Sequence, residues 1–182
     1  VGVGCHASHR IVGESSQIAM PECGIGLVPD VGGSYLLARA PGYMGTYLGL
    51  TGTRMNAADA ITATFADHYI PEADWDLLKI QLTTGDMTLP QHTAPDGTLI
   101  NLRPHIDAAF KQSTLQDILR DLPADTPLNI KALHRNAPLA MACAVQIIDR
   151  VRQNPSIQTA LKHEYRYTHR AVAQGDFIEG IR

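Results

Sequence analysis

The sequence predicts an α/β fold with its strands early and only helices late, and three observations carry that prediction. Residues 9–14 and 17–20 read as two short extended segments on either side of a Ser15-Ser16 turn. Residues 21–33 carry four glycines and two prolines, which prescribes a loop of fixed backbone geometry rather than regular structure. From residue 113 to the end, apolar residues recur at helical intervals.

Taken in order, residues 4–8 are small and suit a helical turn packed close to a neighbour. Pro21 ends the second extended segment. Residues 34–50 place apolar groups at helical spacing, interrupted by Pro41-Gly42, so two short helices are expected. Asn56 caps a further helix running through Thr64, and residues 67–70 look like a returning strand. Between residues 71 and 112 the prolines Pro71, Pro90, Pro95 and Pro104, with Gly85 and Gly97, punctuate a polar stretch without a strong period after Leu82. This reads as a connector or insertion. The helical period then returns with Leu115, Ile118 and Leu119 on one face and Gln116, Asp117 and Arg120 on the other. Residues 127–152 and 156–173 complete a helix-rich tail broken at Pro138 and Pro155. There is no internal repeat or low-complexity tract.

Composition narrows the classes of function. A chain of 182 residues that is 45% apolar buries one sizeable core, with one domain and a helical extension as the natural size. The net charge of -3, without a run of Lys or Arg, argues against nucleic-acid binding. No window approaches the roughly 18 apolar residues of a membrane span. Cys5, Cys23 and Cys143 are odd in number and share no CxxC spacing, which disfavours a disulfide framework and a zinc site and suits a reducing, cytoplasmic setting. The start at Val1-Gly2-Val3-Gly4 reads as a beginning inside a structural element. The Asp176-x-x-Glu179 capping box, close to Arg182, announces a helix start, so further residues are expected on both sides.

Familiar nucleophile, metal and phosphate motifs are missing, and the chemistry falls to two acids in the glycine-rich loop. Glu22 is flanked by Met20, Pro21, Cys23, Gly24 and Ile25, an apolar setting that raises a carboxyl pKa towards neutrality and makes a general base or acid. Asp30 follows Pro29 and precedes Gly32-Gly33. From the residues alone, Asp30 equally caps the helix that follows, and Glu22 equally remains a solvated loop acid. Cys23 has no His partner nearby in sequence and reads as packing, while His6, His9 and His68 have no ligand-like pattern.

The run Met20-Pro21-Glu22-x-x-Ile25-Gly26-Leu27-x-Pro29-Asp30-Val31-Gly32-Gly33-Ser34-Tyr35 resembles the central motif of the 3-hydroxyisobutyryl-CoA hydrolase branch of the crotonase (enoyl-CoA hydratase/isomerase) superfamily. The similarity continues through Leu50-Thr51-Gly52, Ala58-Asp59-Ala60 and Ala66-Asp67-His68-Tyr69, then resumes at His163-Glu164-Tyr165-Arg166 and from Gly175 to Arg182. About two-thirds of the chain is covered, residues 71–112 excepted.

The resemblance implies a partial crotonase-like ββα spiral over residues 1–70, a connector or insertion over 71–112 and an α-helical region over 113–182. It implies an acyl-CoA substrate, with coenzyme A entering as part of that substrate and no separate cofactor. Two backbone N–H groups hold the thioester oxygen in that superfamily, and both would lie before Val1, so the chain by itself is expected to be inactive. Hydratases use two glutamates; the later matches Glu22, and the earlier position is Gly2. Asp30 stands where hydratases commonly have glycine. The resemblance therefore favours thioester hydrolysis over hydration, with Glu22 and Asp30 catalytic and Gly2, Ile25, Gly26, Gly32 and Gly33 against the substrate. Gly32 and Gly33 are expected to permit close backbone approach rather than to bind phosphate. Tyr165 and Arg166 either touch the CoA or dock the tail helix, docking being favoured. A non-catalytic relative and an unrelated α/β binding module are the competing classes, and relatives that form trimers or hexamers leave a homo-oligomer open.

Overall fold

A computed structural model describes residues 1–182, the side chain of Gln174 excepted. A one-turn 3-10 helix at Gly4–His6 leads into strand β1, Ile11–Val12. A second 3-10 turn, Glu22–Ile25, interrupts the glycine-rich loop before helix α1, Gly33–Arg39, and helix α2, Met44–Thr51. Helix α3 spans Ala57–Thr62 and strand β2 is His68–Tyr69. The strands pair in parallel, Ile11 with His68 and Val12 with Tyr69, and Ile18 bridges Met55 antiparallel. Arg10 clamps the strand ends together, its Nε donating to Asp67 Oδ2 at 2.8 Å and its Nη1 to the Thr64 carbonyl at 2.7 Å.

Asn56 caps α3 as expected, its Oδ1 accepting the Asp59 N–H at 2.9 Å. Asp59 then does what no local pattern announces. Its buried carboxylate accepts the N–H groups of Thr98 and Leu99 at 2.7 and 2.8 Å and so starts a helix forty residues away. Residues 71–112, expected as a connector, hold helix α4, Trp75–Thr83, and helix α5, Leu99–Phe110, with Pro104 inside the latter. Leu99, Ile106, Ala109 and Phe110 of α5 are buried, and Phe110 meets Tyr47 edge-on at 5.3 Å.

The rest is helical. Helix α6 is Leu115–Asp121, α7 Lys131–Arg135, α8 Pro138–Gln153, α9 Ile157–Gln174 and α10 Phe177–Gly180. Ile118 of α6 is buried, but Leu119, expected on the same apolar face, is 40% exposed because the neighbours meet only a narrow stripe. Every residue of α2 is buried, the pattern of a helix surrounded on all sides, here by α1, α5, α7 and α8. Gly45 lets α2 lie against α1, since a Cβ there would collide with the Leu37 carbonyl. Asn136 ties α7 to α2 by donating from Nδ2 to the Leu50 carbonyl at 2.8 Å. The predicted capping box at Asp176 is not closed by a side chain, although the one-turn helix it announces is present. Among the described residues, no helix is long and apolar enough to cross a membrane.

Candidate active site

Glu22 opens the 3-10 turn that follows Pro21. The turn is closed by the Gly24 N–H on the Pro21 carbonyl at 2.9 Å and the Leu27 N–H on the Glu22 carbonyl at 3.0 Å. Gly26 ends it at φ 77°, a left-handed conformation that a residue with a side chain adopts only at a cost. The Glu22 carboxyl is largely withdrawn from water, and its Oε2 is buried without a hydrogen bond from any described residue. Burial raises its pKa to about 7, and the nearby negative charges of Asp30 and Glu164 push the same way. Its own backbone N–H opposes them. A carboxyl with this titration is a usable base near neutrality.

Asp30 is half-buried, and burial lifts its carboxyl above the ordinary range. It does not cap α1 with its side chain; its carbonyl accepts the Gly33 N–H at 2.7 Å. The residue after it, Val31, stands at φ 50°, a conformation β-branched side chains avoid, and a Cβ at Gly2 would lie 2.5 Å from the Val31 methyl Cγ2. Gly2 thus lies against the residue after Asp30, and the Asp30 charge reaches Glu22.

The capping of α1 comes instead from Glu164 on α9. Only 2% exposed, it accepts the Gly32 N–H at 2.9 Å, the Ser34 N–H at 3.1 Å and the Ser34 hydroxyl. The sequence places Glu164 on the tail helix without giving it a role. The signal was present, because Ile157, Ala160, Glu164 and Ala171 recur at helical spacing on one face. Docking of the tail is carried by Glu164 and by Tyr167, whose hydroxyl donates to the Gly26 carbonyl at 2.9 Å, whereas Tyr165 is 68% exposed.

Gly26, Gly32 and Gly33 of the loop are tightly packed. The Gly32 N–H is taken by Glu164, and a Cβ at Gly33 would strike the Met20 methyl. A Cβ at Gly26 would sit 2.6 Å from the Asp176 carbonyl carbon, and one at Gly180 would sit 2.5 Å from that of Ile25, so α10 lies directly on the Ile25–Gly26 backbone. The α8 entry is fixed to the same turn by the Ala137 N–H on the Cys23 carbonyl at 2.9 Å. Cys23 is fully buried with its thiol pushed up to about 12, which suits packing and not nucleophilic attack.

The chain belongs to the enoyl-CoA hydratase/isomerase family, whose sequence profile matches residues 1–182. Helices around a small parallel sheet are the crotonase-like fold in part. The chain superposes with a TM-score of 0.95 and 56% identity on a solved enoyl-CoA hydratase from Rhodobacter sphaeroides 2.4.1, covering 99% of this chain and 54% of that one. It superposes with a TM-score of 0.90 and 35% identity on a carnitinyl-CoA dehydratase from Mycobacterium thermoresistibile, covering 100% and 56%. Among curated relatives, a probable 3-hydroxyisobutyryl-CoA hydrolase of Arabidopsis thaliana is 29% identical, covering all of this chain and 54% of its own. A mitochondrial 3-hydroxyisobutyryl-CoA hydrolase of Rattus norvegicus is 32% identical, covering all of this chain and 52% of its own. The chain spans about half the length of the curated relatives it matches.

Proposed function

We propose that the protein hydrolyses the thioester of a short 3-hydroxyacyl-CoA, with Glu22 as the reactive carboxylate and coenzyme A entering as part of the substrate. The observation that carries this reading is the buried, unbonded Oε2 of Glu22 on a carboxyl that titrates near 7. As a base, Glu22 takes a proton from water while the oxygen bonds the thioester carbon; the resulting oxyanion collapses, the C–S bond breaks and the CoA thiolate leaves and is protonated. As a nucleophile, a Glu22 carboxylate oxygen attacks the thioester carbon, the C–S bond breaks and the CoA thiolate leaves and is protonated, and water later splits the resulting anhydride into the acid and free Glu22. Asp30 holds the substrate hydroxyl or assists protonation of the departing sulfur. Ile25, Gly26, Gly32 and Gly33 shape the wall of the acyl site by packing, and Gly2, packed against the Val31 side chain, supplies no second carboxylate.

Hydration of an enoyl-CoA is the second reading, favoured by the 56% identical solved chain whose description is an enoyl-CoA hydratase. It needs two carboxylates to hold and activate water, and Gly2 supplies none. Side-by-side assays of the full-length protein separate the two. CoA thiol release from 3-hydroxyisobutyryl-CoA is expected to exceed hydration of crotonyl-CoA at least tenfold in kcat/KM. Faster hydration would replace the hydrolase reading with the hydratase one.

A further inference from the structure

Helices α8 and α9 diverge around a cavity of about 520 Å³ that neither Glu22 nor Asp30 lines. That volume lies within the ordinary range for small-molecule sites. Its floor is apolar, formed among others by Ala142, Ile147 and Ala171, with Cys143 and Tyr167. Its rim is cationic: Arg150 from α8 faces His163, Arg166 and Arg170 from α9. No Asp or Glu is among the described lining residues. Arg150, Arg166 and Arg170 make no ion pair with any described residue; Arg170 is engaged only through Nη1 on the Arg166 carbonyl at 2.7 Å. The positive charge is felt inside the cavity. His163 is held below its ordinary pKa by burial first and then by Arg150, Arg166 and Lys162.

On a chain whose net charge is -3, three guanidinium groups around one apolar hollow are a local reversal of sign. Guanidinium groups bind oxyanions through paired N–H donors, and an apolar floor contributes only if the ligand carries hydrocarbon. We infer that the α8–α9 cavity binds an amphipathic anion, a carboxylate or phosphate group on a medium-length apolar body, at a site separate from the Glu22 carboxyl. The head group sits between Arg150 and Arg166 and the hydrocarbon lies over Ile147 and Ala171. The inference stands whether or not Glu22 cleaves thioesters.

Calorimetric titration of the full-length protein with decanoate, decyl phosphate and decanol tests it. Both anions are expected to bind at one site per chain, and decanol at least about tenfold more weakly, a difference of about 1.4 kcal/mol. The tighter of the two anions identifies the head group. The Arg150→Ala/Arg166→Ala protein is expected to lose about tenfold or more in anion affinity while its melting temperature and its decanol affinity hold. Occupancy is located independently by Cys143, which is half-buried on the cavity wall whereas Cys5 and Cys23 are buried. Decanoate is expected to slow N-ethylmaleimide modification of Cys143, read by peptide mass, several-fold. Equal binding of decanol, unchanged anion affinity in the double variant, or unprotected Cys143 would each overturn the assignment.

Discussion

Glu22 holds a proton that an exposed glutamate would release, and the consequence is readable as both rate and stability. Its carboxyl titrates near 7 in the fold against an ordinary 4.5. Between those values the folded chain keeps a proton the unfolded chain has lost, so this residue's contribution to stability falls as pH rises through the window. Glu22→Gln is expected to leave the melting temperature nearly unchanged at pH 4.5 and to raise it at pH 8, measured by scanning calorimetry. The rate moves the other way, since the base must be ionised: kcat/KM for CoA release should climb with pH and level off above about 7. Val31 is the second residue under tension. At φ 50° it stores roughly 1–3 kcal/mol of backbone strain beside Asp30. Val31→Asn, which tolerates that conformation, is expected to stabilise by about 1 kcal/mol in urea unfolding. The chemical character of Glu22 was legible because its apolar neighbours are adjacent in sequence. The strain at Val31 was not, since nothing in the residue types around it demands a left-handed backbone at a β-branched position.

Between elements, the active loop is held by contacts that are long in sequence. Glu164→Ala would leave the N–H groups of Gly32 and Ser34 and the Ser34 hydroxyl unsatisfied at a buried helix start. A loss of about 2–4 kcal/mol is expected in chemical denaturation. Glu164→Gln keeps an acceptor oxygen but removes a negative charge that raises the Glu22 pKa, so the rising limb of its pH–rate profile should shift to lower pH. An unshifted limb would mean the two carboxyls do not interact. Gly45→Ala forces α2 away from the Leu37 carbonyl of α1, and a destabilisation of at least about 3 kcal/mol is expected from so direct a backbone collision. Local signals found most of these elements: Asn56 caps its own helix, and Pro41-Gly42 separates α1 from α2. Helix α5 escaped because its cap, Asp59, lies forty residues upstream and Pro104 stands where a break is the natural reading. Asp30 is the cap of α1 that the sequence offers, and only the third dimension brings Glu164 there instead.

Over the whole molecule, the helical region closes onto the glycine loop from behind. The α8 entry bonds the Cys23 carbonyl, α9 caps α1 and bonds Gly26, and α10 lies on Ile25 and Gly26. Three separate elements therefore hold the turn that begins at Glu22, which is the preorganisation a carboxylate needs to act on a substrate without rearranging. The early-strand, late-helix layout could be read from extended segments and helical spacing, although of residues 17–20 only Ile18 pairs, in a single bridge to Met55. The approach of Gly2 to Val31 and of the Asp30 charge to Glu22 could not, because it depends on how distant segments pack. The most direct measurement is single-turnover release of CoA thiol from 3-hydroxyisobutyryl-CoA by full-length Glu22→Gln protein, with thioester binding followed in parallel. Release slowed by roughly 10²–10⁴-fold with binding held within a few-fold is the expected result; release at the unaltered rate would contradict a chemical role for Glu22.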